Sequence, residues 1–334
     1  MSKKRTTLIS LSFILVLLAA LIGCQRQQEP ISKTGFYFDT VITVTLYDGS
    51  ATKELEECFN MAKDYENMLS ATVVGSDIWN INHANGETVT VSDETAALIE
   101  KAISYSQLSN GAFDITIGQL SSLWNFKEND GTIPSEEQIK MALASVGYQN
   151  IVVDHNSITS TNSETQIDLG GIAKGYIADQ MKAYLNENGI TEGIIDLGGN
   201  ILTVGPKENG DSYRIGIQKP FADTGTSIAA VEIHDDSLVS SGVYERYFKK
   251  DGTLYHHILN PKTGYPYQNN LLGVTIITKS SANADALSTT CFALGLENGM
   301  KLIQSLDDTE AVFITDDYQL HCSPGIEESV SPIS

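Results

Sequence analysis

His256 and His257 stand side by side in the stretch Ser240–Pro266, SSGVYERYFKKDGTLYHHILNPKTGYP, which also holds an arginine, a serine-glycine turn and an Asn-Pro-Lys-Thr-Gly turn. Only 6 histidines occur in 334 residues, so this crowding points to chemistry. An ordinary hairpin explains the same letters, since Tyr244–Phe248 and Leu254–Leu259 alternate like strands around a Lys250-Asp251-Gly252 turn. Neighbours on a strand face opposite sides, so at most one of the two imidazoles points into a given site.

Three further groupings carry reactive side chains. Asp285 and Thr289 lie one helical turn apart in SANADALSTTCFALG, which puts a carboxylate and a hydroxyl on one face. Such a pair is a partial shell for Mg²⁺, which prefers oxygen ligands and completes its shell with phosphates and water. A helix-start aspartate that merely complements the helix dipole reads the same way. In IDLGGIAKG, Asp168 ends a strand, Gly170 and Gly171 let backbone approach a ligand, and Lys174 adds a cation at a helix start suited to phosphate. A plain strand-to-helix turn is the alternative there. Asp114 and Thr116 share a face of a short extended segment, or belong to a capped loop.

The elements that must position these groups are legible in outline. Phe36–Tyr47 reads as one strand, followed by a helix over Ser50–Leu69 with Leu55, Phe59, Ala62, Tyr65 and Leu69 at helical spacing. A second helix starts at Ser92 and stops near Asn110-Gly111, and a third opens on the capping box Ser135-Glu136-Glu137-Gln138 and ends at Gly147. Short strands are predicted at Ile151–Val153 and Gln166–Leu169, then a helix over Ile172–Asn188. Strands dominate from Gly193, broken by helices over Ser281–Leu294 and Glu297–Ser305, and a last hairpin ends at Cys322. Helices and hairpins mix without strand-helix alternation, so the expected class is α+β, one domain with a largely antiparallel mixed sheet and flanking helices. The glycine pairs do not make GxGxxG, so the sequence does not support a dinucleotide-binding Rossmann unit.

The N-terminus carries Lys3, Lys4 and Arg5, then an apolar run over Leu8–Ile22 that is shorter than the roughly 20 residues needed to span a bilayer. Leu21-Ile22-Gly23-Cys24 resembles a bacterial lipobox, which makes 1–23 a signal peptide, Cys24 the lipidated residue and 24–34 a tether, with the protein anchored at the outer face of the cell membrane. The globular unit is expected over 35–325, with 326–334 as a tail. Loss of the three N-terminal cations takes the formal charge from −21 to about −24, which excludes nucleic acid as a partner and repels phosphates unless a metal or local cations intervene. Cys58, Cys291 and Cys322 show no CxxC spacing, and Cys58 and Cys291, in helix-like apolar patterns, read as core thiols.

Taken together, GAFDITIGQLSSLWNF, IDLGGIAKGYIADQ, IIDLGGNI, SSGVYERYF, YHHILNPKTGYP and ADALSTTCFALG resemble, in order, the signatures of the ApbE family of FAD:protein FMN transferases. The resemblance implies a bound FAD whose pyrophosphate is held by Mg²⁺ and cleaved, with FMN passed to a threonine or serine hydroxyl of an FMN-acceptor domain in a membrane redox protein and AMP released. It implies Asp285, Thr289 and the Gly171 carbonyl as metal ligands, and Phe38, Thr72, Ala112, Phe113, Asp114, Asp168, Lys174, His257 and Ile258 around FAD. His257, directly before Ile258-Leu259, becomes the general base, titrating at about 6.5 if unperturbed, and Asp285 the second catalytic residue. Arg246 is assigned to ion pairing within its loop.

Relatives commonly carry Met-Gly-Thr where this chain has Phe38-Asp39-Thr40, and Ser-x-aromatic where it has Ser70-Ala71-Thr72. Phe38 keeps an aromatic cover for the flavin, whereas Thr72 cannot stack. Asn260 replaces a usual aspartate, and Ser288 stands where some relatives are acidic. FAD pyrophosphatase activity, with water in place of the acceptor, and non-catalytic flavin binding remain open alternatives at this level.

Overall fold

The computed structural model describes residues 29–128, 131–207 and 209–333. The signal peptide and Cys24 lie outside the described residues. The chain opens with β1 (Ile31–Tyr37) and β2 (Thr40–Leu46), followed by α1 (Thr52–Leu69) and α2 (Asp77–Asn82). The single strand expected over Phe36–Tyr47 is therefore a hairpin that turns at Phe38-Asp39, both at positive φ. Phe-Asp is a weak turn signal, and tertiary contacts hold the turn. Glu66 accepts the Phe38 N–H at 2.6 Å, and Asp39 pairs with Lys127 at 2.5 Å.

Then come β3 (Val89–Thr90), α3 (Asp93–Leu108), α4 (Gly118–Trp124), α5 (Glu136–Leu143), β4 (Ile151–Asp154) and β5 (Ser157–Ser160). Ser92 caps α3, and the reciprocal box between Ser135 and Gln138 opens α5. The strand expected at Gln166–Leu169 is instead irregular, tied down by a lone bridge from Gln166 to Ile117 and by Asp168 N–H donating to Ile115 at 2.7 Å.

The second half runs α6 (Ala173–Glu187), β6 (Gly193–Leu197), β7 (Asn200–Val204), β8 (Tyr213–Gln218), β9 (Ser227–Ile233), β10 (Ser237–Gly242), β11 (Tyr247–Lys250), β12 (Thr253–His256), β13 (Leu271–Thr278), α7 (Ser281–Gln304), β14 (Thr309–Thr315), β15 (Leu320–Cys322) and β16 (Val330–Pro332). Gly295, at φ 76°, breaks α7 into the two helical pieces that the sequence predicts. The Ser240–Gly242 segment, read as a serine-glycine turn, is the end of strand β10. β16 pairs with β9, so the last residues add a sheet edge rather than trail as a tail.

The class is α+β, as expected. An antiparallel eight-stranded sheet in the order β1-β2-β6-β7-β10-β13-β14-β15 forms the frame. Its period-2 strands serve two cores. Ile195 and Leu202 pack with Leu55, Phe59, Ile177 and Met181 of α1 and α6, while Ile194 and Ile201, on the opposite face, pack toward Ile215, Ile217 and Val231 of the β16-β9-β8 sheet. β13 is buried along its whole length, which explains its continuous apolar run.

Candidate active site

A clamp between α6 and α7 positions the acidic end of the site. The Asp179 carboxylate of α6 accepts from the backbone of Ser281 at 2.7 Å and Ala282 at 3.0 Å and from the Ser280 hydroxyl at 2.8 Å, so one helix caps the N-terminus of the other. Gly175 stands at the crossing, where a Cβ would fall onto the Ser281 carbonyl. This approach brings together residues far apart in sequence. Lys174 Nζ lies 3.2 Å from Asp285 Oδ1, and Gly175 N–H donates to Asp285 Oδ2 at 3.0 Å. Asp285 is only 3% exposed, so its charge depends on those two partners.

One turn further on, the Thr289 hydroxyl lies 3.2 Å from Ser241 Oγ, which also bonds Ser288 Oγ at 2.7 Å. A Cβ on Gly171 would sit 3.6 Å from Thr289 Oγ1 and 2.9 Å from the Phe113 ring, so only glycine lets the backbone come this close. Gly171 thus packs close to Thr289, one helical turn from the buried Asp285 carboxylate. Among the described residues no group of three or more His, Cys, Asp or Glu side chains could hold a metal. A single carboxylate with neutral oxygens suits Mg²⁺, which takes further oxygens from phosphate and water, and suits thiophilic metals poorly.

The two histidines part company. His256, 2% exposed, has its Nε2 2.8 Å from the Tyr267 carbonyl, while its Nδ1 accepts the Ile258 N–H at 3.3 Å. Both nitrogens are committed in the neutral Nε2–H tautomer, and burial pushes its pKa down to about 4. His257 has a side chain 31% exposed, with Nε2 4.0 Å from Glu245 Oε2 and Nδ1 enclosed without a partner. It does not keep its ordinary value. Burial first, then positive charge around it including Arg246 and Lys174, holds it well below the usual imidazole range. The ring is therefore neutral, and a proton placed on it is readily given up.

The remaining residues expected around the flavin are placed as follows. The Ala112 carbonyl accepts from the Tyr267 hydroxyl at 2.9 Å, which ties the Ala112-Phe113 loop to the histidine segment, and buried Ile258 accepts the Tyr267 N–H. Phe38 and Lys174 line one small cavity with Thr40, Ile42 and Leu197. Asp114 is committed to its own loop, accepting from Thr116 N–H and hydroxyl and from Tyr148 N–H, while burial raises its carboxyl. Asp168 accepts the Gly170 N–H at 2.8 Å. Thr72 is exposed and bonds back to Ser70, apart from the cluster.

Residues 38–313 match the ApbE family. The chain belongs to that family. It is 38% identical over 260 residues to the FAD:protein FMN transferase of Klebsiella pneumoniae, covering 77% of this chain and 80% of the relative. Identity to the enzyme of that name from Treponema pallidum is 32% over 329 residues, covering 92% and 91%. The ApbE protein of Thermotoga maritima superposes with a TM-score of 0.81 at 30% identity, covering 89% of this chain and 98% of that one. The flavin transferase ApbE of Vibrio cholerae gives 0.79 at 27%, covering 90% and 99%. This ApbE-family chain is accordingly a transferase.

Sequence reasoning missed four residues that contact or position the candidate site residues: Asp179, Ser241, Glu245 and Tyr267. Only Glu245 left a signal, since a hairpin through Lys250-Asp251-Gly252 must fold it back toward His257. Arg246 forms no ion pair among the described residues. Its carbonyl accepts the His257 N–H at 3.1 Å, while burial raises the Glu245 carboxyl to about 7 against the opposing charges of Lys174 and Arg246.

Proposed function

We propose that the protein is a Mg²⁺-dependent FAD:protein FMN transferase that passes FMN from FAD to a threonine (or serine) hydroxyl of a partner redox protein, forming a phosphoester and releasing AMP. The observation that carries this reading is the buried Asp285 carboxylate paired with Lys174, with Thr289 and Gly171 close together one helical turn away and the charge of Lys174 also felt by the His257 ring. Asp285, Thr289 and the Gly171 carbonyl would hold the ion, which supplies charge neutralisation at the pyrophosphate. Lys174 adds a cation there, offsetting the repulsion that a chain of formal charge −21 imposes on phosphates.

Phosphoryl transfer depends mainly on position and charge, and the residues divide accordingly. Ala112 and Ile258, joined through Tyr267, would form one wall for FAD with Phe113, and Phe38, which lines a small cavity with Lys174, would add an aromatic surface. His257 Nε2 takes the proton of the acceptor hydroxyl as its oxygen bonds the FMN-side phosphorus, and the bond from that phosphorus to the AMP phosphate breaks. Incubating the protein with FAD, Mg²⁺ and an FMN-acceptor domain should leave a fluorescent flavin band that survives SDS. No band with several genuine acceptors would overturn the reading.

The same proposal places the enzyme on the extracytoplasmic face of the cell membrane, held by acyl chains on Cys24. No helix among the described residues is long and apolar enough to cross a membrane. Because β1 starts at Ile31, the tether would span only 24–30, reaching at most roughly 25 Å. A Cys24→Ser form recovered in the soluble fraction, with the parent in the membrane fraction, is the expected result.

A further inference from the structure

We propose that Glu245 is the terminal acceptor of the proton that His257 removes from the acceptor hydroxyl. The inference rests on the flavin-transfer reading above and deepens it. The hairpin supplies the placement. Tyr247 pairs with His256 across β11 and β12, and His257 N–H donates to the Arg246 carbonyl, so residues 245 and 246 lie opposite His257.

The surroundings of the ring make a second acceptor necessary. In Ser-His-Asp sites a carboxylate on the far nitrogen stabilises the imidazolium, but here Nδ1 is enclosed with no partner. Lys174 and Arg246 are also cationic neighbours of the ring. An imidazolium formed there has nothing to hold it at Nδ1. The proton must therefore leave from Nε2, and the carboxylate facing Nε2 is Glu245, at 4.0 Å. Asp285 cannot serve, being committed to Lys174 and the Gly175 N–H.

The 4.0 Å separation also suits a hydroxyl between the two groups, since an oxygen about 2.8 Å from each would subtend an angle of about 90°. The hydroxyl O–H bond breaks and an Nε2–H bond forms as the new P–O bond closes. Once the product leaves, the Nε2–H and the Glu245 carboxylate close from 4.0 Å to hydrogen-bond distance, and the proton passes to a carboxylate oxygen. Because the Glu245 side chain is 43% exposed, it can release that proton to water and return as carboxylate.

Transfer kinetics to an acceptor domain, with FAD affinity followed separately by quenching of flavin fluorescence, test the assignment. Glu245→Ala should lower kcat by about a hundredfold and leave FAD affinity within about twofold, and added formate should restore transfer in proportion to its concentration. Glu245→Gln should lose as much with no rescue, because the amide fills the space. A kcat within about threefold of the parent, or a loss in Glu245→Ala that formate does not relieve, would overturn the role. If the parent itself transfers no flavin, the functional reading falls and takes this proposal with it. Transfer by the parent with an unaffected variant overturns Glu245 alone.

Discussion

Lys174 and Asp285, 111 residues apart, form an ion pair at 3.2 Å in which the carboxylate is almost wholly buried. Removing one partner of such a pair strands the other charge, whereas a divalent cation can replace the ammonium. Lys174→Gln should therefore raise Mg²⁺ affinity measured without FAD by roughly tenfold and weaken FAD binding. Calorimetric Mg²⁺ titration and flavin fluorescence read the two effects separately. Weaker Mg²⁺ binding in this variant would show that Lys174 does not compete for the carboxylate.

Gly171 gives a metal-site test that leaves every ligand side chain in place. Gly171→Ala puts a methyl 2.9 Å from the Phe113 ring, so the turn or the ring must shift. Mg²⁺ affinity should drop at least tenfold, with a loss of only about 1–2 kcal/mol in stability. Unchanged Mg²⁺ binding would remove the Gly171 carbonyl from the ligand set.

The histidine pair should separate by property. His256→Gln loses well-placed bonds to Tyr267 and Ile258 in a buried site and should cost about 2–3 kcal/mol by denaturant unfolding. His257→Gln should leave stability nearly unchanged and reduce transfer by about 10²–10⁴-fold. Equal loss of transfer in two equally stable variants would contradict the division.

Acid should destabilise the fold through His256. Its native pKa is pushed down to about 4, below the ordinary value of 6.5 that the unfolded chain retains. Between those limits the unfolded state binds more protons, so stability is full above about pH 6.5 and falls as pH drops toward 4. The loss amounts to roughly 3 kcal/mol, and it should be absent from the pH–stability curve of His256→Gln. Parallel curves for the two proteins would assign the acid sensitivity to other groups.

Asp179 should matter more to the site than its distance from the chemistry suggests. Asp179→Ala leaves two N–H groups at the start of α7 without their cap and should cost about 1–2 kcal/mol. Mg²⁺ affinity should fall as well, because the clamp sets the place of Asp285. A stability loss with unchanged Mg²⁺ affinity would show that other contacts hold the helix.

Local patterns determined much of this protein. The caps at Ser92 and Ser135, the break at Gly295 and the one-turn spacing of Asp285 and Thr289 follow from residues a few positions apart, and the ordered motifs name the family. Tertiary structure decided what depends on distant partners. The Phe38-Asp39 turn lacks a strong local signal and is held by Glu66 and Lys127. The Lys174–Asp285 pair forms because Gly175 lets two helices touch and Asp179 locks them. His256 and His257 are chemically identical neighbours in the sequence. Only folding buries one between two backbone partners and turns the other, stripped of a partner at Nδ1, toward Glu245. Side-chain chemistry is written locally, but burial and electrostatic environment are set by groups that meet only when the chain is folded.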